Sequence, residues 1–284
     1  MNKKYLILDS NYLCHRAKHS TGNLSFNGEA TGIVYGFLVT VLSLQERFDN
    51  THFIFCWDSK FSERKKVLAG YKESRNHRQD EMTKKEIRFE EDFRLQMKKL
   101  RKVYLKEIGF KNVFCQKGYE ADDLIASVCQ NMDKTDEAVI VSSDHDLYQL
   151  LAFNVKIYSP NKKQLITLQS FTKEYGIRPV DWITVKALAG CSSDEIPGIK
   201  GVGEKTAIKF IKETLKKTSK AYDNIDKGFK ILLRNLVLVK LPFKGTRIFK
   251  IKEDEVVLKG WKKVTVMLGM KSLKHTPPFF RKRL

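Results

Sequence analysis

The sequence predicts an α/β fold with a mostly parallel central sheet flanked by helices, and three observations predict it. Three short apolar runs, YLILD, HFIFCWD and AVIVSSD, each stop at a carboxylate, at Asp9, Asp58 and Asp144. Helical patterns separate these runs, and strand alternating with helix implies a parallel sheet covered on both faces. The chain of 284 residues is 42% hydrophobic, enough to build one large domain or a main domain with a satellite.

In chain order, the run ending at Asp9 reads as a short buried strand. The segment TGIVYGFLVTVLSLQERF reads as a helix, and the run ending at Asp58 as a second strand. From about Lys60 to Lys106 the composition turns highly charged and shows no strand, which marks an insertion above the sheet. Within it Phe89, Phe93, Met97, Leu100 and Tyr104 recur every three or four residues, so its second half is expected to pack on the body as a helix. Another helix opens at Glu120, the run ending at Asp144 is a third strand, and NVKIY at 154 to 158 is a fourth without the terminal Asp. Beyond about Arg178 the chain reads as helical, and after Leu241 it turns basic and ends in PPFFRKRL. The expected division is a core of residues 1–178, with the insertion at about 60–106, and a helical region of residues 179–284 with a basic tail.

Lys and Arg number 53 against 33 Asp and Glu, a net charge of +20, which favours a polyanionic partner such as nucleic acid. A membrane is disfavoured, since no stretch approaches the roughly 18 apolar residues that span a bilayer and the N-terminal apolar run is cut by Asp9. A soluble, intracellular monomer is expected. The five cysteines are scattered and form no CxxC pair, so they are expected to be reduced and to hold no zinc. No GKT or GKS phosphate loop is present.

In parallel sheets the functional crevice lies beyond the carboxyl ends of the strands, where Asp9, Asp58 and Asp144 would converge. Glu120, Asp122, Asp123, Asp146 and Asp194 sit at comparable helix or loop positions. So many carboxylates in one crevice need a compensating cation, and oxygen donors suit Mg2+, or Mn2+ in its place, rather than zinc. Two such ions about 4 Å apart activate a water and stabilise the leaving oxygen in phosphodiester hydrolysis. Each residue alone has an ordinary alternative: Asp9 as a helix cap, Asp122 and Asp123 as partners of a helix dipole, Asp144 and Asp146 as loop formers.

The segments GYKESR (70–75), KGYEADDLIAS (117–127), VSSDHDLYQLL (141–151) and GCSSDEIPGIKGVGEKTA (190–207) resemble, in order, the signatures of bacterial and phage 5′-nucleases. That family includes the nuclease domain of DNA polymerase I and stand-alone phage flap endonucleases. The resemblance runs from Tyr5 to about Phe210 and resumes weakly at 232–242. It implies a PIN-like 5′-nuclease core with a helical arch and a helix-hairpin-helix region. It further implies a 5′-3′ exonuclease and flap endonuclease acting on DNA 5′ ends, flaps or nicks in replication or repair, with RNA primers open as substrates.

Position by position, it implies one metal site from Asp9, Asp58, Glu120, Asp122 and Asp144, with Asp123 behind it, and a second from Asp146 and Asp194. Asp122, Lys72 and Arg75 would be catalytic, the two cations pairing with the scissile phosphate from the arch. Arg64 falls in register as a DNA contact, and Tyr71 is a candidate for stacking on a base or for simple packing. Gly198, Gly201 and Gly203 allow a tight turn whose amides approach a phosphate, with Lys205 and Thr206 at the helix start. The resemblance adds K+ held by carbonyls of that turn.

One departure stands out. The family pattern GDSSDNIPG has Cys191 in place of its first Asp and Glu195 in place of its Asn. A thiol is a poor ligand for Mg2+, so the second site is expected to have lost a ligand unless Glu195 or a water compensates. Two alternatives stay open: a structure-specific DNA-binding protein with weakened catalysis, and a PIN-type ribonuclease.

Overall fold

Leu6 and Leu8 of the first strand point to one side of the sheet while Ile7 points to the other, and all three are fully buried. The strand His52–Trp57 repeats the pattern, with Phe53, Phe55 and Trp57 on the first side and Ile54 and Cys56 on the second. Burial on both faces explains why these runs are continuously apolar rather than alternating.

The computed structural model describes residues 2–49, 52–74 and 82–273. The chain runs through β1 (Lys4–Asp9), α1 (Ser10–Ser20), the small hairpin β2 (Ser25–Phe26) and β3 (Glu29–Ala30), α2 (Gly32–Phe48) and β4 (His52–Trp57). Helix α3 (Lys84–Lys99) continues through a π turn at Leu100–Tyr104 into α4 (Leu105–Ile108), followed by β5 (Val113–Cys115), α5 (Ala121–Asn131) and β6 (Glu137–Val141). Next come β7 (Val155–Ser159), β8 (Gln164–Ile166), α6 (Leu168–Tyr175) and α7 (Trp182–Ala189). The short hairpin β9 (Gly190–Cys191) and β10 (Ile196–Pro197) precedes α8 (Glu204–Ile211), α9 (Lys220–Lys227), α10 (Phe229–Val239) and α11 (Leu258–Met267).

The main sheet has the order β5-β4-β1-β6-β7-β8. Its first five strands are parallel and β8 pairs antiparallel to β7 at the edge. Helices α1 and α2 cover one face and α5 the other. The four strands read from the sequence are all present, and the three-residue β5 and β8 are additions.

The charged insertion is more embedded than its composition implies. Ser62 bridges to Gly118, Arg64 is 3% exposed and Tyr71 2%. Helix α3 packs on the body as its spacing predicts, with Phe93, Leu100 and Tyr104 buried and Phe89 and Met97 half-buried. It also caps a neighbour: Gln96 Oε1 accepts the backbone N–H of Ile33 at 2.9 Å and Val34 at 3.5 Å, at the start of α2, where Thr31 provides no side-chain cap.

After α10 the chain returns to the α/β body. The Asn112 side chain exchanges hydrogen bonds with the backbone of Lys252, and Asp254 Oδ1 accepts the Lys111 N–H at 2.8 Å. Trp261, Val264 and Leu268 of α11 join the core beside α4. Residues 243–273, which the sequence assigns to the helical region and its basic tail, thus pack on the core. The stretch PPFFRKRL lies outside the described residues. No helix among the described residues is long and apolar enough to cross a membrane, and the five cysteines are free thiols.

Candidate metal centre

Asp9 is the last residue of β1, and its carboxylate is held from two sides. Oδ1 accepts the Tyr12 N–H at 3.0 Å, capping α1, and Oδ2 accepts the Ser142 hydroxyl at 3.0 Å. Asp58 follows β4: its N–H donates to Asn11 Oδ1 at 3.0 Å, and its Oδ1 accepts the Ala121 N–H at 2.7 Å at the start of α5. Asp144 lies beyond β6, where its N–H donates to Ser142 Oγ and its Oδ1 accepts the Asp146 N–H at 2.8 Å. The strand ends therefore converge as predicted, with Ser142 and Asn11 as positioning groups that the sequence did not single out.

Electrostatics tie these groups to Asp122 in the first turn of α5. Burial, then the nearby charge of Asp58, pushes the Asp9 carboxyl up to about 7. Burial, then Asp144, Asp9 and Asp58, pushes Asp122 well above the ordinary carboxylate range. Among the described residues no ion pair engages Asp9, Asp122 or Asp144. Oxygen donors that repel one another in a half-dry crevice fit a hard divalent cation. The set is open, however, since no three of its carboxylates bring donor atoms within 4.8 Å of one another.

Glu120 and Asp123 each meet cationic side chains, and the Glu120 charge also acts on Asp122. Glu120 Oε2 receives Lys72 Nζ at 2.7 Å and the Tyr71 hydroxyl at 3.0 Å. Burial alone would raise the Glu120 carboxyl, but Lys72 and Arg64 outweigh it and hold it below its usual range. Asp123 is fully buried, and both its oxygens bond Arg64, at 2.7 Å each. Asp123 also accepts the N–H groups of Glu120 at 3.1 Å and Phe243 at 2.9 Å. With its lone pairs taken, Asp123 holds Arg64 and the backbone behind the strand-end carboxylates and offers no oxygen to a cation. Arg64 is corrected as a DNA contact: besides Asp123 its Nε donates to the Leu238 carbonyl at 2.8 Å, and the guanidinium has no access to a phosphate. Tyr71 is packed, with its hydroxyl turned to Glu120 and Asp194, so it offers no face to a base. Arg75 lies outside the described residues.

A second group forms where the β9–β10 hairpin meets the turn after β6. One donor atom each of Asp146, Cys191 and Asp194 lies within 4.8 Å of the other two, the only such trio among the described residues. Lys186 of α7, which sequence reading missed, places Nζ 3.0 Å from Asp146 and 3.4 Å from Glu204. Burial would push this ammonium down, but Asp146, Cys191 and Glu204 carry it above its ordinary value. A lone Lys within the apolar WITVKALA was the available signal, because buried lysines are nearly always paired. Lys72 Nζ sits 3.3 Å from Asp194 and so links the two groups.

Glu195 does not stand in for the missing carboxylate. Its oxygens accept the N–H groups of Glu73 at 3.1 Å and Ser74 at 2.7 Å, while the Lys72 N–H donates to the Asp194 carbonyl at 3.1 Å. Lys72 and Glu195 both adopt left-handed backbone, with φ of 53° and 57°. Strain of this kind persists only where surrounding bonds hold it, and it gathers at functional sites.

Helices α7 and α8 pack together across the glycine-rich turn. Gly201 has φ +76°, and a Cβ on Gly198 would come within 2.1 Å of the Ala189 carbonyl oxygen, so these two positions require glycine. Gly203 caps α8 in open space, and Lys205 and Thr206 occupy its first turn.

Residues 4–176 match the family described as 5′-3′ exonuclease, N-terminal resolvase-like domain, and residues 177–241 match 5′-3′ exonuclease, C-terminal SAM fold. The chain is 33% identical over 248 residues to the 5′-3′ exonuclease of Bacillus subtilis, covering 84% of this chain and 75% of that one. It is 33% identical over 213 residues to the thermostable DNA polymerase I of Thermus aquaticus, covering 74% of this chain and 24% of the polymerase. The T5 5′-exonuclease, solved with divalent metal ions (zinc) bound, superposes with a TM-score of 0.70 at 25% identity, covering 84% of this chain and 90% of that one. Flap endonuclease-1 from Methanococcus jannaschii shares the fold, with a TM-score of 0.57 at 17% identity over 96% of this chain and 90% of that one. The chain belongs to the 5′-3′ exonuclease family of phosphodiester hydrolases.

Proposed function

We propose that the chain cleaves DNA near 5′ ends, flaps and nicks, using Mg2+, with Mn2+ able to replace it, at Asp9, Asp58, Asp122 and Asp144. The observation that carries this reading is the convergence of mutually repelling carboxylates, from buried Asp9 to exposed Asp144, beyond the ends of three parallel strands. A divalent ion there supplies Lewis-acid activation of water and offsets the charge of the phosphodiester. The protein's own part is positioning: the Ser142 hydroxyl and the amides of Tyr12, Ala121 and Asp146 hold the carboxylates of Asp9, Asp58 and Asp144, so little reorganisation is needed when substrate arrives.

Lys72 is assigned to the scissile phosphate together with Arg75. Its ammonium lies between Glu120 and Asp194, at the junction of the two acidic groups, where an incoming phosphate would compete for it. The turn at 198–203, with Lys205 and Thr206 behind it, is assigned to duplex DNA in the manner of a helix-hairpin-helix, with K+ at its carbonyls. In this reading residues 1–178 form the nuclease core and the helical region grips DNA, while residues 243–273 brace the core. The net charge of +20 supports a polyanionic substrate.

A 5′-labelled flap duplex, a nicked duplex, a blunt duplex and a single-stranded RNA, each with Mg2+ or EDTA, test the assignment. Mg2+-dependent cuts at the flap junction and at the nick, exceeding cuts in blunt duplex and RNA, are expected. Preferential RNA cleavage would point instead to a PIN-type ribonuclease. Tight flap binding without cleavage in either Mg2+ or Mn2+ would point to a DNA-binding protein that has lost catalysis.

A further inference from the structure

The two acidic groups differ in chemistry. The first offers carboxylate oxygens alone, whereas the second offers the Asp146 carboxylate from the turn after β6 and the Cys191 sulfur and Asp194 carboxylate from the β9–β10 hairpin. The sulfur is held in place. Cys191 pairs in register with Ile196 across β9 and β10, and its Sγ lies 3.1 Å from the Ser193 hydroxyl. Gly190, just before it, has φ +76°, and a Cβ there would come within 2.4 Å of the Gly198 nitrogen, so the hairpin backbone is closely packed.

Charge separates the groups further. In the second group each carboxylate already has an ammonium partner, Lys186 at 3.0 Å from Asp146 and Lys72 at 3.3 Å from Asp194. Each ammonium is shared with a second carboxylate, Lys72 with Glu120 and Lys186 with Glu204, so the two lysines offset only part of the acidic charge. A hard ion such as Mg2+ binds oxygen through charge, which the ammonium neighbours weaken, while a sulfur donor adds bonding that only a softer ion exploits. Glu195 is not part of this trio: its carboxylate turns to the amides of Glu73 and Ser74.

We infer that Asp146, Cys191 and Asp194 form a site selective for a thiophilic divalent cation of the Co2+ and Zn2+ class over Mg2+, so that the protein's two cation positions are chemically unequal. Binding forms a metal–sulfur bond and releases the thiol proton to solvent, with no change in oxidation state. This rests on the proposed reading that the strand-end face binds divalent cations, and it names the ion that the second position takes.

Titration of the metal-free full chain with Co2+, followed by absorbance, tests it, because thiolate ligation produces a near-ultraviolet charge-transfer band that oxygen ligation does not. A saturable band is expected in the native protein and in Cys115→Ser, which removes the exposed thiol. The band should vanish in Cys191→Ser and Cys191→Asp, with circular dichroism reporting that each variant is folded. Excess Mg2+ should leave the native band intact, yet displace Co2+ from Cys191→Asp, read by competition calorimetry. Asp122→Asn should lose Mg2+-dependent cleavage while keeping the band, which separates failure at this site from failure of the nuclease reading. Absence of a band in the native protein, its persistence in Cys191→Asp, or its removal by Mg2+ would overturn the inference.

Discussion

Asp9 titrates near 7 in the folded protein, against about 4 for an unfolded Asp. Between those values the folded state holds the extra proton, so this group lowers metal-free stability progressively as pH rises through that window, with the full penalty above about 7. Asp9→Asn is therefore expected to raise the melting temperature in EDTA near pH 8, with the gain vanishing near pH 4, where the native carboxyl is also neutral. Added Mg2+ should remove the advantage near pH 8 by stabilising the native carboxylate. Arg64 makes the opposite case, a charge already satisfied inside the fold. Removing one partner of a buried, doubly bonded pair costs about 3–5 kcal/mol, so Arg64→Ala should lose that amount in urea unfolding while Lys65→Ala changes little. The sequence could not separate these two neighbours: both sit in a charged run, and Asp123, which buries Arg64, is 59 positions away. Asp9, Asp58 and Asp144 were legible because each interrupts an apolar strand at its carboxyl end.

At the scale of elements, the strands were legible because burial on both faces leaves an uninterrupted apolar run. Strands β5 and β8, at three residues each, leave no comparable pattern. The docking of residues 62–72 and 243–273 was not legible, since both are rich in Lys and owe their placement to a few buried anchors rather than to periodicity. Trp261 is the clearest anchor, 1% exposed with its indole N–H donating to the Leu273 carbonyl at 3.1 Å. Trp261→Ala should destabilise the protein by about 3–5 kcal/mol in chemical denaturation. Glu195 anchors in a different sense, stitching the 70–74 turn to the loop that carries Asp194. Glu195→Ala should leave global stability nearly unchanged, but hydrogen exchange at the Glu73 and Ser74 amides should quicken and cleavage should slow.

The whole molecule carries a net charge of +20 yet gathers its carboxylates beyond one edge of its sheet. That contrast suits a polyanion drawn in by the surface and a cation held where the backbone is to be cut. Fold and principal acidic cluster followed from the sequence, whereas the ammonium partners of the second cluster emerged only when distant loops came together. The most direct test is single-turnover cleavage of a 5′-flap duplex in Mg2+, comparing the native chain with Asp122→Asn and measuring flap binding in EDTA for both. Metal-dependent cleavage by the native chain, lost in Asp122→Asn while the variant still folds and binds the flap, is the predicted result. Equal cleavage by the two proteins, or native cleavage that persists in EDTA, would contradict a metal centre built on these carboxylates.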